Sequence, residues 1–201
     1  MLDAAARRLI DPPLATVARR VANFGIGADA ISIVGFALGL LAAGLVAAGH
    51  PGLGLLLFLA NRLADGLDGA VARVNGITDR GGFLDIVFDF IVYAGMACAF
   101  ALLEPTANAL PAACLLFAFM GTGSSFLAFA VMAGRRGLTT EARGKKSLYY
   151  LGGLTEGSET IAFFVLSCLK PEWFPVLASV FAAMCWLTTA ARIVTGWRLL
   201  R

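Results

Sequence analysis

Charge is scarce in this chain. Of its 201 residues, 14% are Asp, Glu, Lys or Arg, while 59% are hydrophobic and the mean hydropathy is +0.83. A soluble core of this size has no use for so much apolar sequence, so the composition excludes a water-soluble domain and requires an integral membrane protein. Histidine is nearly absent too. The single one, His50, stands in a GHPG turn at residues 49–52 and is read as a turn residue. Cysteine offers no metal site. Cys98, Cys114, Cys168 and Cys185 fall one per apolar segment, with no CxxC spacing and no histidine nearby, as small buried hydrophobes do. The net charge of +3 is too small to point to nucleic acid. Residues 1–13 lack a continuous apolar run, so no cleavable signal peptide is expected there. No linker, repeat or soluble appendage is evident, and residues 1–201 are expected to form a single membrane domain.

Long apolar runs are what the chain has in abundance. Six are expected to cross the bilayer as helices, an all-α bundle over residues 27–196, at about 27–48, 53–73, 82–103, 109–133, 149–169 and 174–196. Each is about 20 residues, enough for a hydrocarbon core of ~30 Å. Residues 1–22 are expected to form a juxtamembrane helix lying in the headgroup layer. Asp11 can cap it, Pro12 and Pro13 suit its first turn, and Leu14, Val17 and Val21 share a stripe beside Arg19 and Arg20. Cations are distributed unevenly. Arg7, Arg8, Arg19 and Arg20 precede the first span, Arg73 and Arg80 flank the second connection, and Arg135, Arg136, Arg143, Lys145 and Lys146 fill the fourth. Arg198 and Arg201 end the chain, whereas the opposite turns carry only Lys170. The positive-inside rule then places both termini on the cytoplasmic side of the plasma (inner) membrane.

Against this background four aspartates stand out, within the stretch DGLDGAVARVNGITDRGGFLDIVFD at residues 65–89. Asp65 and Asp68 are three apart and Asp85 and Asp89 four apart, so each pair lies on one helix face. The second and third spans run antiparallel, which brings all four to one depth near the cytoplasmic surface. A charged side chain within a membrane helix costs roughly 3 kcal/mol on insertion scales. Divalent cations would remove that cost, and oxygen-only ligands select hard ions such as Mg²⁺ or Mn²⁺. Small Gly66, Gly69 and Ala72 followed by Arg73 suit a diphosphate lying over such ions. The alternative is a small cation or proton transporter using intramembrane aspartates, although transporter sites usually lie at midplane.

The same stretch is similar to the signature of the CDP-alcohol phosphatidyltransferases, D-x2-D-G-x2-A-R-x7–8-G-x3-D-x3-D. Asp65, Asp68, Gly69, Ala72, Arg73, Gly81, Asp85 and Asp89 fill its fixed positions. The resemblance implies transfer of a phosphatidyl group from a CDP-alcohol such as CDP-diacylglycerol to a hydroxyl acceptor, with release of CMP, in phospholipid synthesis. It implies that Asp65, Asp68, Asp85 and Asp89 face one or two Mg²⁺ or Mn²⁺ ions, with Asp89 as the general base. It further implies that Gly66, Gly69, Ala72, Arg73 and Gly81 receive the cytidine nucleotide, and that the enzyme is a homodimer. Asn23 and Ser32, at the start of the first span, resemble the family's nucleotide contacts there. A helix cap and a hydroxyl bonded to its own backbone explain these two equally well.

The acceptor is less legible. Arg136, Arg143, Lys145 and Lys146 would suit a phosphorylated polyol such as glycerol 3-phosphate, although positive-inside charge explains most of them. The GKKS run at residues 144–147 resembles the GKxKT of phosphatidylglycerophosphate synthases but is one residue short. Glu156 and Glu159 lie about one turn apart at the cytoplasmic end of the fifth span, and Arg192 lies in the sixth beside Thr188 and Thr189. The glutamates are expected either to pair with Lys145, Lys146 or Arg192 or to meet the acceptor, and Arg192 to partner Glu159 or a phosphate.

Overall fold

The computed structural model describes residues 14–136 and 153–201. Within them every regular element is a helix: α1 over residues 14–23, α2 Ala28–Ala47, α3 Pro51–Asn75, α4 Asp79–Leu103, α5 Pro105–Arg135, α6 Gly157–Leu169 and α7 Phe174–Leu199. A single 3-10 turn, Pro171–Trp173, precedes α7. The breaks follow local chemistry. The chain leaves α2 through Gly49 at φ 88° and enters α3 on Pro51, whose missing N–H is not needed in a first turn. Gly76, at φ 103°, ends α3, and the Thr78 hydroxyl caps α4 by accepting from Gly81 N at 3.1 Å. Pro105 opens α5 in the same way as Pro51 opens α3.

Close helix approach is bought with glycine on α2 and α3. A Cβ on Gly39 would lie 2.5 Å from Val92 Cγ2, and one on Gly54 would lie 2.5 Å from Val46 Cγ2. Helix α2 therefore packs backbone-close against both α3 and α4, the two helices that carry the aspartates. The central core joins α2 through α7 by way of Val46, Phe58, Met96, Phe100, Leu115, Phe164 and Phe174, each fully buried. Helix α1 lays Ala18 against Ala70 and Val71 near the end of α3, the end toward which the site faces.

Among the described residues, four helices are long and apolar enough to cross a membrane: α2, α4, α5 and the continuous Pro171–Leu199 segment. This is short of the six spans expected, and the reasons differ. Helix α3 has 25 residues but carries Arg62, Asp65, Asp68 and Arg73, which lower its hydropathy. Helix α6 has 13, about 20 Å at 1.5 Å per residue, because the chain between 153 and 156 is not helical. The expected span at 149–169 thus begins as a helix only at Gly157, and residues 149–152 lie outside the described ones.

Candidate active site

The short α3–α4 connection makes the two helices antiparallel and matches their aspartates by level. Asp65 and Asp89 each lie ten residues from the turn end of their helix, Asp68 seven and Asp85 six. At 1.5 Å per residue the cluster sits about 10–15 Å in from that turn. Asp65, Asp68 and Asp85 each present a carboxylate oxygen within 4.8 Å of the others, close enough to share one cation. The donor set is all oxygen, which fits Mg²⁺ or Mn²⁺. Asp89, one turn beyond Asp85, does not join that converging group.

Asp68, Asp65 and the neighbouring Asp89 have partners outside the cluster. Ser32 on α2 lies 2.5 Å from Asp68 Oδ2 and 3.1 Å from Ala28 O. Its one proton serves a single acceptor at a time, and the shorter contact, to a carboxylate, is the stronger. Arg62 holds Asp89. Its Nη1 donates to Asp89 Oδ1 at 2.8 Å and to the Tyr93 hydroxyl at 2.9 Å, and lies 3.9 Å from Asp65 Oδ2. Its Nε donates to Asn61 Oδ1 at 2.7 Å, and Asn61 Nδ2 in turn donates to Gly35 O on α2 at 2.8 Å. The guanidinium also stacks over Tyr93, 4.8 Å from the ring centroid, and its side chain is only 8% exposed. Arg62 was not among the residues expected at the site. A signal for it did exist: of the 16 Lys and Arg, only Arg62 and Arg192 fall inside the expected spans away from their ends.

The residues expected around a nucleotide divide into two groups. Gly66, Gly69, Ala72 and Arg73 line the C-terminal half of α3. A Cβ on Gly69 would meet only the Arg73 guanidinium, 3.6 Å away, so Arg73 folds back over that glycine. A Cβ on Gly66 would touch Leu14 of α1 at 3.2 Å. Gly81 serves the α4 cap, beside the ion pair of Arg80 with Asp29 that ties α2 to α4. Asn23 is exposed at the end of α1, with no contact to the aspartates among the described interactions.

Asp85 and Asp89 also open on a cavity of about 770 Å³ between α4, α5, α6 and α7. Its walls are mostly apolar, including Phe90, Ile91, Phe119, Met120 and Leu127, with a polar edge of Thr122, Thr155, Glu156, Thr160 and Arg192. Arg192 is buried, donates to Thr122 O at 3.0 Å and lies over Phe126. Glu156 and Glu159 form a reciprocal helix cap. Glu156 accepts from the backbone N–H of Glu159, and Glu159 Oε2 accepts from Glu156 N at 3.1 Å. Glu159 is thereby a capping residue of α6, whereas Glu156 also borders the cavity. The segment leading to them is fastened to α7: the Thr188 hydroxyl accepts from Leu154 N and Thr155 N, both at 3.1 Å. Arg136 turns away from the cavity and donates to the Arg201 carbonyl at 3.0 Å. Arg143, Lys145 and Lys146 lie outside the described residues.

Known proteins place this arrangement. The inner membrane protein YnjF of Escherichia coli strain K12 is 49% identical over 201 residues, covering all of this chain and 98% of the relative. The phosphatidylinositol phosphate synthase PgsA1 of Mycobacterium tuberculosis shares the fold. Its structure with CDP-DAG bound superposes with a TM-score of 0.65 at 23% identity, covering 92% of this chain and 93% of that one. Its structure with manganese and citrate gives 0.67 at 22%, covering 92% and 88%. The sequence model of the CDP-alcohol phosphatidyltransferases matches residues 26–197, nearly the whole helical bundle, and the chain is a member of that family.

Proposed function

We propose that this chain transfers the phosphatidyl group of a CDP-alcohol, such as CDP-diacylglycerol, to the hydroxyl of an acceptor and releases CMP. One observation carries the reading: three carboxylates converge within 4.8 Å, and a fourth, Asp89, borders both them and a cavity of about 770 Å³. Asp65, Asp68 and Asp85 would hold Mg²⁺ or Mn²⁺, which when bound offsets the charge of the diphosphate and of the departing CMP. PgsA1 supports this, having been solved with CDP-DAG and with manganese. Gly66, Gly69 and Ala72 leave the surface of α3 low enough for the nucleotide, and Arg73 reaches a phosphate from the same face. Asn23 and Gly81 stand at the rim of that surface.

Asp89 is the general base. Arg62 fixes its Oδ1, and Oδ2 takes the proton of the acceptor hydroxyl. The acceptor oxygen then bonds to the phosphorus on the lipid side, the bond from that phosphorus to the bridging oxygen breaks, and CMP leaves with the negative charge. The cavity receives the acceptor, with Glu156 and Arg192 at its polar edge. Arg143, Lys145 and Lys146 would add cations for a phosphorylated polyol such as glycerol 3-phosphate. The chain is one membrane domain of six spans, with α1 on the headgroup layer and both termini at the cytoplasmic face of the inner membrane. It works as a homodimer.

CMP release tests the reading. The protein in lipid discs, with CDP-diacylglycerol and Mn²⁺ or Mg²⁺, is offered glycerol 3-phosphate, serine, inositol, inositol phosphate, ethanolamine, choline and phosphatidylglycerol in turn. Release that depends on one acceptor and is lost in Asp89→Asn, with nucleotide binding kept, is the expected result. Full turnover in Asp89→Asn would remove the base assignment.

A further inference from the structure

We infer that Arg62 takes the place of a second metal ion. It pairs with Asp89, keeps that carboxylate out of the metal set, and leaves one divalent ion per chain on Asp65, Asp68 and Asp85. The inference rests on the proposed metal site. Two independent observations carry it. The first is geometric: among the described residues the converging oxygens belong to Asp65, Asp68 and Asp85, not to Asp89. The second is the guanidinium. It lies 2.8 Å from Asp89 and 3.9 Å from Asp65, so it stands beside the carboxylates that a second ion would have to bridge. Like charges at that separation repel, and the Arg62 side chain, 8% exposed, is itself shielded from the water that would screen it.

Arg62 cannot easily withdraw. Asn61 fixes its Nε at 2.7 Å, and that asparagine is itself anchored on Gly35 O of α2. The Tyr93 hydroxyl accepts from Nη1, and the rings of Tyr93 and Phe58 pack on the guanidinium at 4.8 and 5.7 Å. A small crevice bounded by Ser32, Asn61, Arg62, Asp65, Asp68 and Asp89 holds about 10 Å³, room for about one water. With the guanidinium as one wall, it offers a poor seat for a cation. Arg62 is thus a positioning residue: it fixes one oxygen of the base without touching the reacting atoms.

The test counts ions. Mn²⁺ alone is titrated into the full chain in phosphatidylcholine discs, and free Mn²⁺ is read by electron paramagnetic resonance. The wild type is expected to bind one ion per chain. Asp89→Asn should keep that ion with its Kd within about threefold, since Asp89 is not a ligand, whereas Asp85→Asn should raise the Kd at least about tenfold. Arg62→Met, which frees Asp89, should gain a second ion, and Arg62→Lys, which keeps the charge, should still bind one. Two ions in the wild type, with CMP release intact, would overturn the role of Arg62 while leaving the family chemistry standing. A count of one in a folded Arg62→Met would overturn it equally, and if that variant does not fold, the Asp89→Asn and Arg62→Lys counts decide. No Mn²⁺ bound and no CMP released would overturn the metal site and this inference together.

Discussion

Thr188→Val removes one oxygen and almost no volume, which makes it a clean probe of how the cavity is built. The Thr188 hydroxyl accepts from Leu154 N and Thr155 N at 3.1 Å and shares a further hydrogen bond of 3.0 Å with the Thr155 hydroxyl. Thr188 is fully buried and Thr155 nearly so, so water cannot replace the lost acceptor at Thr155. A buried N–H left without a partner costs about 1–3 kcal/mol, and the half-open Leu154 N–H adds less. The valine methyls keep the close approach to Gly153, where a Cβ would lie 2.2 Å from the Thr188 methyl. The expected loss is therefore about 2 kcal/mol of polar anchoring, with little change in packing. It should register in equilibrium unfolding in mixed micelles. It should register in kinetics too, because the loosened segment carries Glu156 at the cavity edge: the acceptor KM should rise more than the KM for the CDP-alcohol. Stability within about 0.5 kcal/mol of wild type, together with an unchanged acceptor KM, would refute the anchoring argument, since surface-like substitutions fall within that range.

Other substitutions separate neighbouring roles. Ser32→Ala removes the donor 2.5 Å from Asp68, and should weaken Mn²⁺ binding about tenfold while leaving the fold intact, measured by titration and by circular dichroism. Glu159→Gln keeps a carbonyl oxygen to accept from Glu156 N, so it should be nearly silent, whereas Glu159→Ala should cost about 1 kcal/mol of stability. Equal losses in the two variants would mean that the charge of Glu159, and not its capping bond, is what matters.

The aspartates were legible because the bilayer makes them conspicuous: in an apolar helix each carboxylate stands out, and the spacing of each pair fixes its face. Their shared depth follows from the short polar loop expected at residues 74–80, which the structure narrows to 76–78. Arg62 is as visible by the same logic, an isolated cation three residues before Asp65, yet it stands outside the signature. The beginning of α6 was harder to read. The LGGLTEGSETIAFF run is apolar enough to suggest one continuous span, and hydropathy does not register a cap. What stops the helix short of Gly157 is the reciprocal pairing of Glu156 with Glu159 and the seating of Gly153 on Thr188, a contact with another helix that local sequence does not encode. The same pairing gives Glu159 a role that neither expectation for it named. The glutamates answer each other's backbone, which no count of nearby cations would suggest.

The central claim is that the converging carboxylates serve a divalent ion in CMP-releasing chemistry. Its most direct test is CMP release by the protein stripped of metal with chelator, then given Mn²⁺ or Mg²⁺, in wild type and Asp85→Asn. The account predicts no release without metal, recovery on adding back either ion, and failure of Asp85→Asn to recover at ion concentrations that saturate the wild type. Release that persists through chelation, or an Asp85→Asn variant that recovers alongside the wild type, would contradict it.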